Sequence, residues 1–397
     1  MLPPKFTEMR EVFVLLLGVS AAAFSQDMRG QDIRPEIQFI NGMYQRFQQG
    51  GADASAALQV SSQVRVVMKG MPAGNNRVSF QFLQRATARS LQEAERKLRG
   101  SASITNGAGV TLITAQGIAT TSTLEIHVPV QVKRASVEIL RNGDIEVFNF
   151  PGALFASTQA GDVQAENIGG PVSIHTGGGH IRVGRVAAGV ECSTGAGSIT
   201  IESAGGDVNC RTAGGEILVN EVQGPVWLAN GGGSIAVEHA ARNVEAHSVQ
   251  GGIQVGKAGG TVTADARGGE IRIGSAAGVR AESADGSVHL VGSNGVLSVS
   301  AAIGSILAEL MAGSRLKDSS LMAASGDITV MIPSNLGLRV IATNQRGGVP
   351  RIESDFSGVQ LRMLNFNRPA LADGLINGGG PTLLLSGSGM IYLRRVK

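Results

Sequence analysis

Residues 171–188 read PVSIHTGGGHIRVGRVAA, residues 189–206 GVECSTGAGSITIESAGG and residues 207–224 DVNCRTAGGEILVNEVQG. Aligned on their glycines, the three lines carry aliphatic residues in the same columns. Glycine recurs every eighteen residues at Gly143, Gly161, Gly179, Gly197, Gly215, Gly233, Gly251 and Gly269. After one step of seventeen it continues at Gly286 and Gly304, then resumes out of phase at Gly326 and Gly389. Two residues after each glycine stands Ile or Val, as at Ile181, Ile199 and Ile217, and four residues after it another small or branched aliphatic, as at Val183, Ile201 and Val219. A fixed period of this length means identical turns of chain stacked on one another.

Each turn divides into two short strands. In residues 171–188 the alternation places Val172, Ile174 and Thr176 inward and Ser173 and His175 outward, followed by Ile181 and Val183 inward and Arg182 outward. A third, shorter side supplies one small apolar residue per turn: Ile168, Val186, Ala204, Val222, Ala240, Ala258 and Ala276. The glycine pairs and triples between sides are expected to supply positive φ. The expected fold is mainly β: a single-stranded parallel β-helix (β-solenoid) of about 18 residues per turn. At about 4.8 Å per turn the repeats would extend roughly 50 Å.

Around the repeats the pattern changes. Lys5 and Arg10 precede an apolar run from Val12 to Phe24 and small residues at Ala23 and Ser25, which reads as a signal peptide over residues 1–25. An uncleaved anchor is the alternative, and no other stretch is long enough to span a membrane, so no transmembrane span is expected in the mature chain. Residues 26–58 form an amphipathic or linker segment, in which Ile33, Ile37, Ile40, Tyr44 and Phe47 fall at helical spacing ahead of Gly50-Gly51. Residues 59–133 alternate with period two, at Val64, Val66 and Met68, at Val78, Phe80 and Phe82, and from Leu124 to Val132. Among them lies one helix, opened by the capping box Ser90…Glu93, burying Leu91, Ala94 and Leu98, and closed by Gly100. This small α+β lead-in module precedes solenoid repeats over 134–344 and a C-terminal cap with a last turn over 345–397, in which Asn365 to Ala372 read as a loop.

Composition agrees with a thin scaffold. Of 397 residues 56 are glycine and only 4% are aromatic, while 43% are hydrophobic. The net charge of +3 is small and the basic residues are scattered, so no stripe exists to neutralise a run of phosphates, and nucleic acid is not expected as a partner.

The order of parts resembles the putative-adhesin family of bacterial β-strand repeat proteins. The matching features are the signal peptide, the strand module with Glu93-Ala94 in its helix, Val128-Pro129 closing a strand, the recurring Gly-x-Ile-x-Val turns, and the terminal run from Gly378 to Ile391. The likeness covers about residues 59–397. It implies an exported β-solenoid of the cell envelope, in the periplasm or at the cell surface, whose partner is a protein or glycan of that envelope.

Several chemistries can be weighed on spacing. Hexapeptide acyltransferases need an aliphatic residue at every sixth position, and the columns here are unequally spaced. Calcium-binding nonapeptides need an aspartate in each half-turn, and the corresponding position holds Arg182, Thr200, Leu218, Ala236 and Gln254. No metal site and no cofactor are expected, and the many Gly-x-Gly matches are turns. Glu221, Glu238 and His239 form the best local cluster for a polysaccharide-active enzyme; the alternative is a solvated corner. Cys192 and Cys210, one period apart at an inward position, are either a disulfide or two buried thiols. Trp227 points outward with Asn209 and Glu245 stacked beside it and Arg211 and His247 diagonal to it, a patch where a glycan or protein could land unless a loop covers it. The expected function is therefore a non-enzymatic interaction or structural surface. A cryptic polysaccharide-active enzyme and a self-polymerising envelope scaffold are the alternatives.

Overall fold

The computed structural model describes residues 37–117, 122–346, 351–362 and 369–396. The signal sequence read over residues 1–25 lies outside them, as does Ile33. The chain forms two compact units, one ending at Arg141 and the other beginning at Asn142.

In the first unit the expected amphipathic helix is a β-hairpin. Ile37–Ile40 and Met43–Asp53 are antiparallel strands joined at Asn41-Gly42, with φ of 49° and 79° and Ile40 opposite Met43. Asn-Gly is the preferred pair for such a tight turn, because both central residues need positive φ. Gly50 does not stop a helix. It lies within the second strand, opposite Phe80, where a Cβ would approach the Phe80 ring to 2.6 Å. Met43–Asp53 pairs with Arg77–Ala86 from Tyr44↔Ala86 to Asp53↔Arg77, and that ladder overrides the weak helical spacing.

Thr123–Val128 and Arg65–Gly70 continue that sheet. A second sheet orders Ser101–Gly107, Val110–Gln116, Ala57–Ser62 and Arg134–Ile139. Period-two alternation buries Val66, Met68, Phe80, Phe82, Leu124 and Ile126 in the first sheet and Leu58, Val60, Ile113 and Val137 in the second. The helix spans Leu91–Lys97, capped by Ser90 Oγ, which accepts from Glu93 N at 3.2 Å. Ala94 and Leu98 are fully buried, but Leu91, expected beside them, is exposed, since it occupies the first helical position.

The second unit is the solenoid. From Ile145 and Leu154 onward, two sets of strands each pair in parallel with the equivalent strand one turn later. In one set Ile181 aligns with Ile199, Ile199 with Ile217 and Ile217 with Ile235; in the other Ile174 aligns with Cys192, Cys192 with Cys210 and Cys210 with Leu228. The inward columns are buried throughout. From Val186 to Ala258 the third column lies on the same strands as the first set, past a break in pairing at Gly184, Glu202, Asn220, Glu238 and Gly256. Inward positions at Val183 and Val186 are an odd number of residues apart, so the strand must bend or bulge between them.

The ladder glycines are required for a reason other than φ. None of them from Gly161 to Gly326 has φ in the left-handed region. A Cβ on Gly179 would overlap the Gly161 carbonyl oxygen, one on Gly197 the Gly179 carbonyl, and so along the stack to Gly326 over Gly304. Each turn corner sits directly on the backbone of the corner before it, and only hydrogen fits between.

A buried polar column holds these corners. Thr194 Oγ1 donates to Gly179 O at 2.8 Å and accepts from Gly197 N at 3.2 Å. Thr176 and Thr212 repeat the clamp, and Asn230 and Ser248 substitute for threonine. Outside, the residue after each ladder glycine often accepts from the amide one turn later, as Asp162 Oδ1 does from His180 N at 2.7 Å and His180 Nδ1 from Ser198 N at 3.1 Å. Thr194→Val keeps the side-chain shape and removes both bonds of one clamp. It is expected to destabilise the unit by about 2 kcal/mol in chemical denaturation, because a buried carbonyl and a buried amide lose their partners. An unchanged midpoint would show the column to be dispensable.

The jump in the glycine ladder from Gly326 to Gly389 has a structural cause. Residues 382–396 return to lie directly on the 319–333 turn: Leu383 aligns with Ser319, Ile391 with Ile328, and Gly389 sits over the Gly326 carbonyl. Leu338–Asn344 and Ile352–Ser354 then pair with the far side of those returning strands. Ala370–Ile376 form a strand antiparallel to Leu338–Asn344 and to Val359–Arg362, so the end of the loop expected from Asn365 to Ala372 is strand, while its residues 365–368 lie outside the described residues. The positive-φ residues Asn377, Gly378 and Gly379 turn the chain from that strand toward Thr382–Gly387.

Candidate functional site

Val208–Thr212, Val226–Asn230 and Val244–Ser248 are consecutive strands of the second solenoid set. Their alternation buries Val226, Leu228 and Asn230 and turns Trp227 and Ala229 outward. Trp227 aligns with Asn209 on one side and Glu245 on the other. It is 36% exposed, so among the described residues no loop closes over it.

Of the four residues read as a patch, Trp227, Glu245 and His247 adjoin one another. The Trp227 and His247 rings lie 6.4 Å apart at 51°. His247 Nε2 is 3.0 Å from Glu245 Oε1, and its Nδ1 is 3.7 Å from Asp265 Oδ2, so the imidazole is held between two carboxylates. Arg211 aligns with Ser193 and Ala229, one turn before Ala229 and two before His247.

Arg211 and His247 also line a groove of about 670 Å³. Trp227 and Glu245 do not line it and belong to the next outward column. Two outward columns build the groove. One runs His175, Ser193, Arg211, Ala229, His247 and Asp265; the other runs Gly177, Gly195, Ala213, Gly231, Val249 and Arg267. The groove exists because Ala229 in the first column and Gly195, Ala213 and Gly231 in the second carry little or no side chain. The sequence patterns do not single out His175, Asp265 or Arg267, although counting on by the repeat from His247 and Val249 leads to the last two.

The Glu221, Glu238 and His239 cluster is an open corner. Glu221 aligns with His239 on the neighbouring strand and accepts from Gln223 Nε2 at 3.1 Å, and all three side chains are exposed. None of them lines the groove. Among the described residues no group of three or more His, Cys, Asp or Glu side chains is placed to hold a metal ion. Cys192 and Cys210 are bonded to each other, with Cα atoms 4.6 Å apart and both side chains buried inside the solenoid, away from this face. No helix among the described residues is long and apolar enough to cross a membrane.

No protein-family model matches the chain, and no curated protein matches it. Solved structures do. One is a "putative adhesin" from Parabacteroides merdae, at 8% identity over 89% of this chain and 96% of that one, with a TM-score of 0.24. A "putative cell adhesion protein" from Clostridium sporogenes matches at 6% identity over 88% and 100% of the two chains, with a TM-score of 0.16. A "putative adhesin" from Bacteroides fragilis matches at 10% identity over 88% and 97%, with a TM-score of 0.17. These bacterial proteins bear the description to which the order of parts pointed. At such TM-scores the likeness carries no argument about a site or an activity.

Proposed function

We propose that the chain is an exported, non-enzymatic β-solenoid that presents an interaction surface in a bacterial envelope, with a protein or glycan of that envelope as its partner. One observation supports this reading above the others. The inward columns repeat aliphatic residues turn after turn, whereas the outward columns change identity and open into a groove beside the exposed Trp227. Such a scaffold gives one local patch a distinct identity and repeats no chemical group that could serve as a periodic active site.

Protease accessibility tests the location. Gly178 has open space where a side chain would stand, so a protease site inserted there is expected to leave the turn folded. Cleavage in intact cells would place the groove-bearing unit at the surface, and cleavage only after the outer membrane is opened would place it in the periplasm. Recovery in the cytosolic fraction would overturn export. Incubation with cell-wall and plant polysaccharides is expected to release no reducing ends, and release abolished by Glu221→Gln would overturn the non-enzymatic assignment.

A further inference from the structure

The geometry points to the groove beside Trp227 as a binding site for a linear acidic polysaccharide, a chain of uronate sugars lying along the stack of turns. This inference rests on the proposed interaction role and names the partner class. The first observation is the floor. At Gly195, Ala213, Ala229 and Gly231 nothing larger than a methyl group projects, which leaves a trough flanked by Arg211 and His247. It runs across consecutive turns, and a polymer laid along it meets the same backbone surface about every 4.8 Å.

The second observation is charge. Arg211 and Arg267 both line the groove, and among the described residues neither guanidinium has an ion-pair or hydrogen-bond partner. Arg272 and Arg280, on outward positions elsewhere, are paired with Glu270 at 2.9 Å and Glu282 at 3.1 Å. The one carboxylate lining the groove, Asp265, already faces His247. Two unpaired guanidiniums against one carboxylate give the groove a positive excess that favours an anionic guest, and guanidinium binds carboxylates with fixed two-point geometry. Arg211 and Arg267 are three turns apart along the stack, about 14 Å. A single small anion cannot reach both, whereas a polymer with a carboxylate on every sugar can.

The third observation separates a glycan from a peptide. An extended peptide gains its affinity by adding to a free strand edge. Here the strands under the groove are paired on both sides, and the corner amides are also committed, Gly177 N to Thr158 O at 3.2 Å and Gly231 N to Thr212 O at 3.1 Å. What the face offers instead is an exposed indole flanking the trough, a flat apolar surface suited to the C–H face of a sugar ring.

Calorimetric titration of the full chain with short polygalacturonate oligomers, and with uncharged dextran oligomers of equal length, tests this. The expected result is binding of the uronate chain alone, weakened by added salt. Arg211→Ala, Arg267→Ala and Trp227→Ala should each weaken it by roughly tenfold. Ala229→Leu, which fills the trough with a side chain on an outward position, should abolish it. Arg182→Ala, on the other strand set, should leave binding and thermal midpoint unchanged and so report on folding. Equal binding of dextran, equal binding of polyglutamate, or indifference to Arg211→Ala would overturn the proposal. If polygalacturonate does not bind while labelled protein is still retained by isolated envelopes, this proposal fails and the broader interaction role stands.

Discussion

Gly179→Ala is expected to destabilise the solenoid by about 3 kcal/mol or more, while Gly178→Ala, one residue earlier, leaves it unchanged or slightly more stable. The two glycines share a Gly-Gly-Gly run and differ only in what lies beneath them. A methyl group on Gly179 would overlap the Gly161 carbonyl, which is backbone and cannot rotate away. On Gly178 it would enter open space, and the φ there is one that alanine adopts without strain. Gly177→Ala should resemble Gly179→Ala, since its Cβ would overlap the Gln159 carbonyl. Paired chemical-denaturation curves give the answer. Equal effects at Gly178 and Gly179 would mean that the stacked corners relax freely and that contact between turns does not explain the ladder.

The second large effect concerns the bridge between Cys192 and Cys210. It closes a loop of one turn, with a sequence separation of 18, which corresponds to a stabilisation of about 3 kcal/mol from restriction of the unfolded chain. Adding reductant during denaturation should lower the midpoint accordingly, and Cys192→Ala/Cys210→Ala should show the lowered midpoint with and without reductant. Both cysteines are almost fully buried, so reduction of the native protein should be slow and should accelerate as denaturant opens the turn. A midpoint indifferent to reductant would remove the bridge from the account of stability.

The solenoid is legible in the sequence because its period is long and its register strict, so that one inward column can be followed down successive turns from the residues alone. Its glycines are legible in position and not in cause: positive φ is a property of one residue, whereas overlap with a carbonyl belongs to two turns at once. The opening hairpin escapes for a different reason. Ile37, Ile40, Tyr44 and Phe47 match a helical spacing, and the stronger local signal, Asn41-Gly42, counts against that helix without by itself announcing the two strands it joins. At the site, Trp227, Arg211, Glu245 and His247 can be placed together by counting one period to either side. The groove beside them is not visible in the same way, because it is made of missing atoms at Ala213, Ala229 and Gly231, which in the sequence look like ordinary small residues of a repeat.

The strands that cover the 319–333 turn come from residues 382–396, and the amide of Met390 bonds a side chain 63 residues earlier, Asp327. Synthesis releases a chain from its N-terminal end. The turns before residue 319 can therefore dock in the order in which they emerge, each closing the edge of the one before. In an assembly of that order Ser319–Ala323 and Ile328–Pro333 would stay bare until the whole intervening segment has followed. Throughout that interval the growing end is a sticky strand edge, open to the same edge on a second copy. The vulnerable moment in the life of this protein is thus set by a delay in time, and factors that hold unfolded chains apart would matter most just before its last strands arrive.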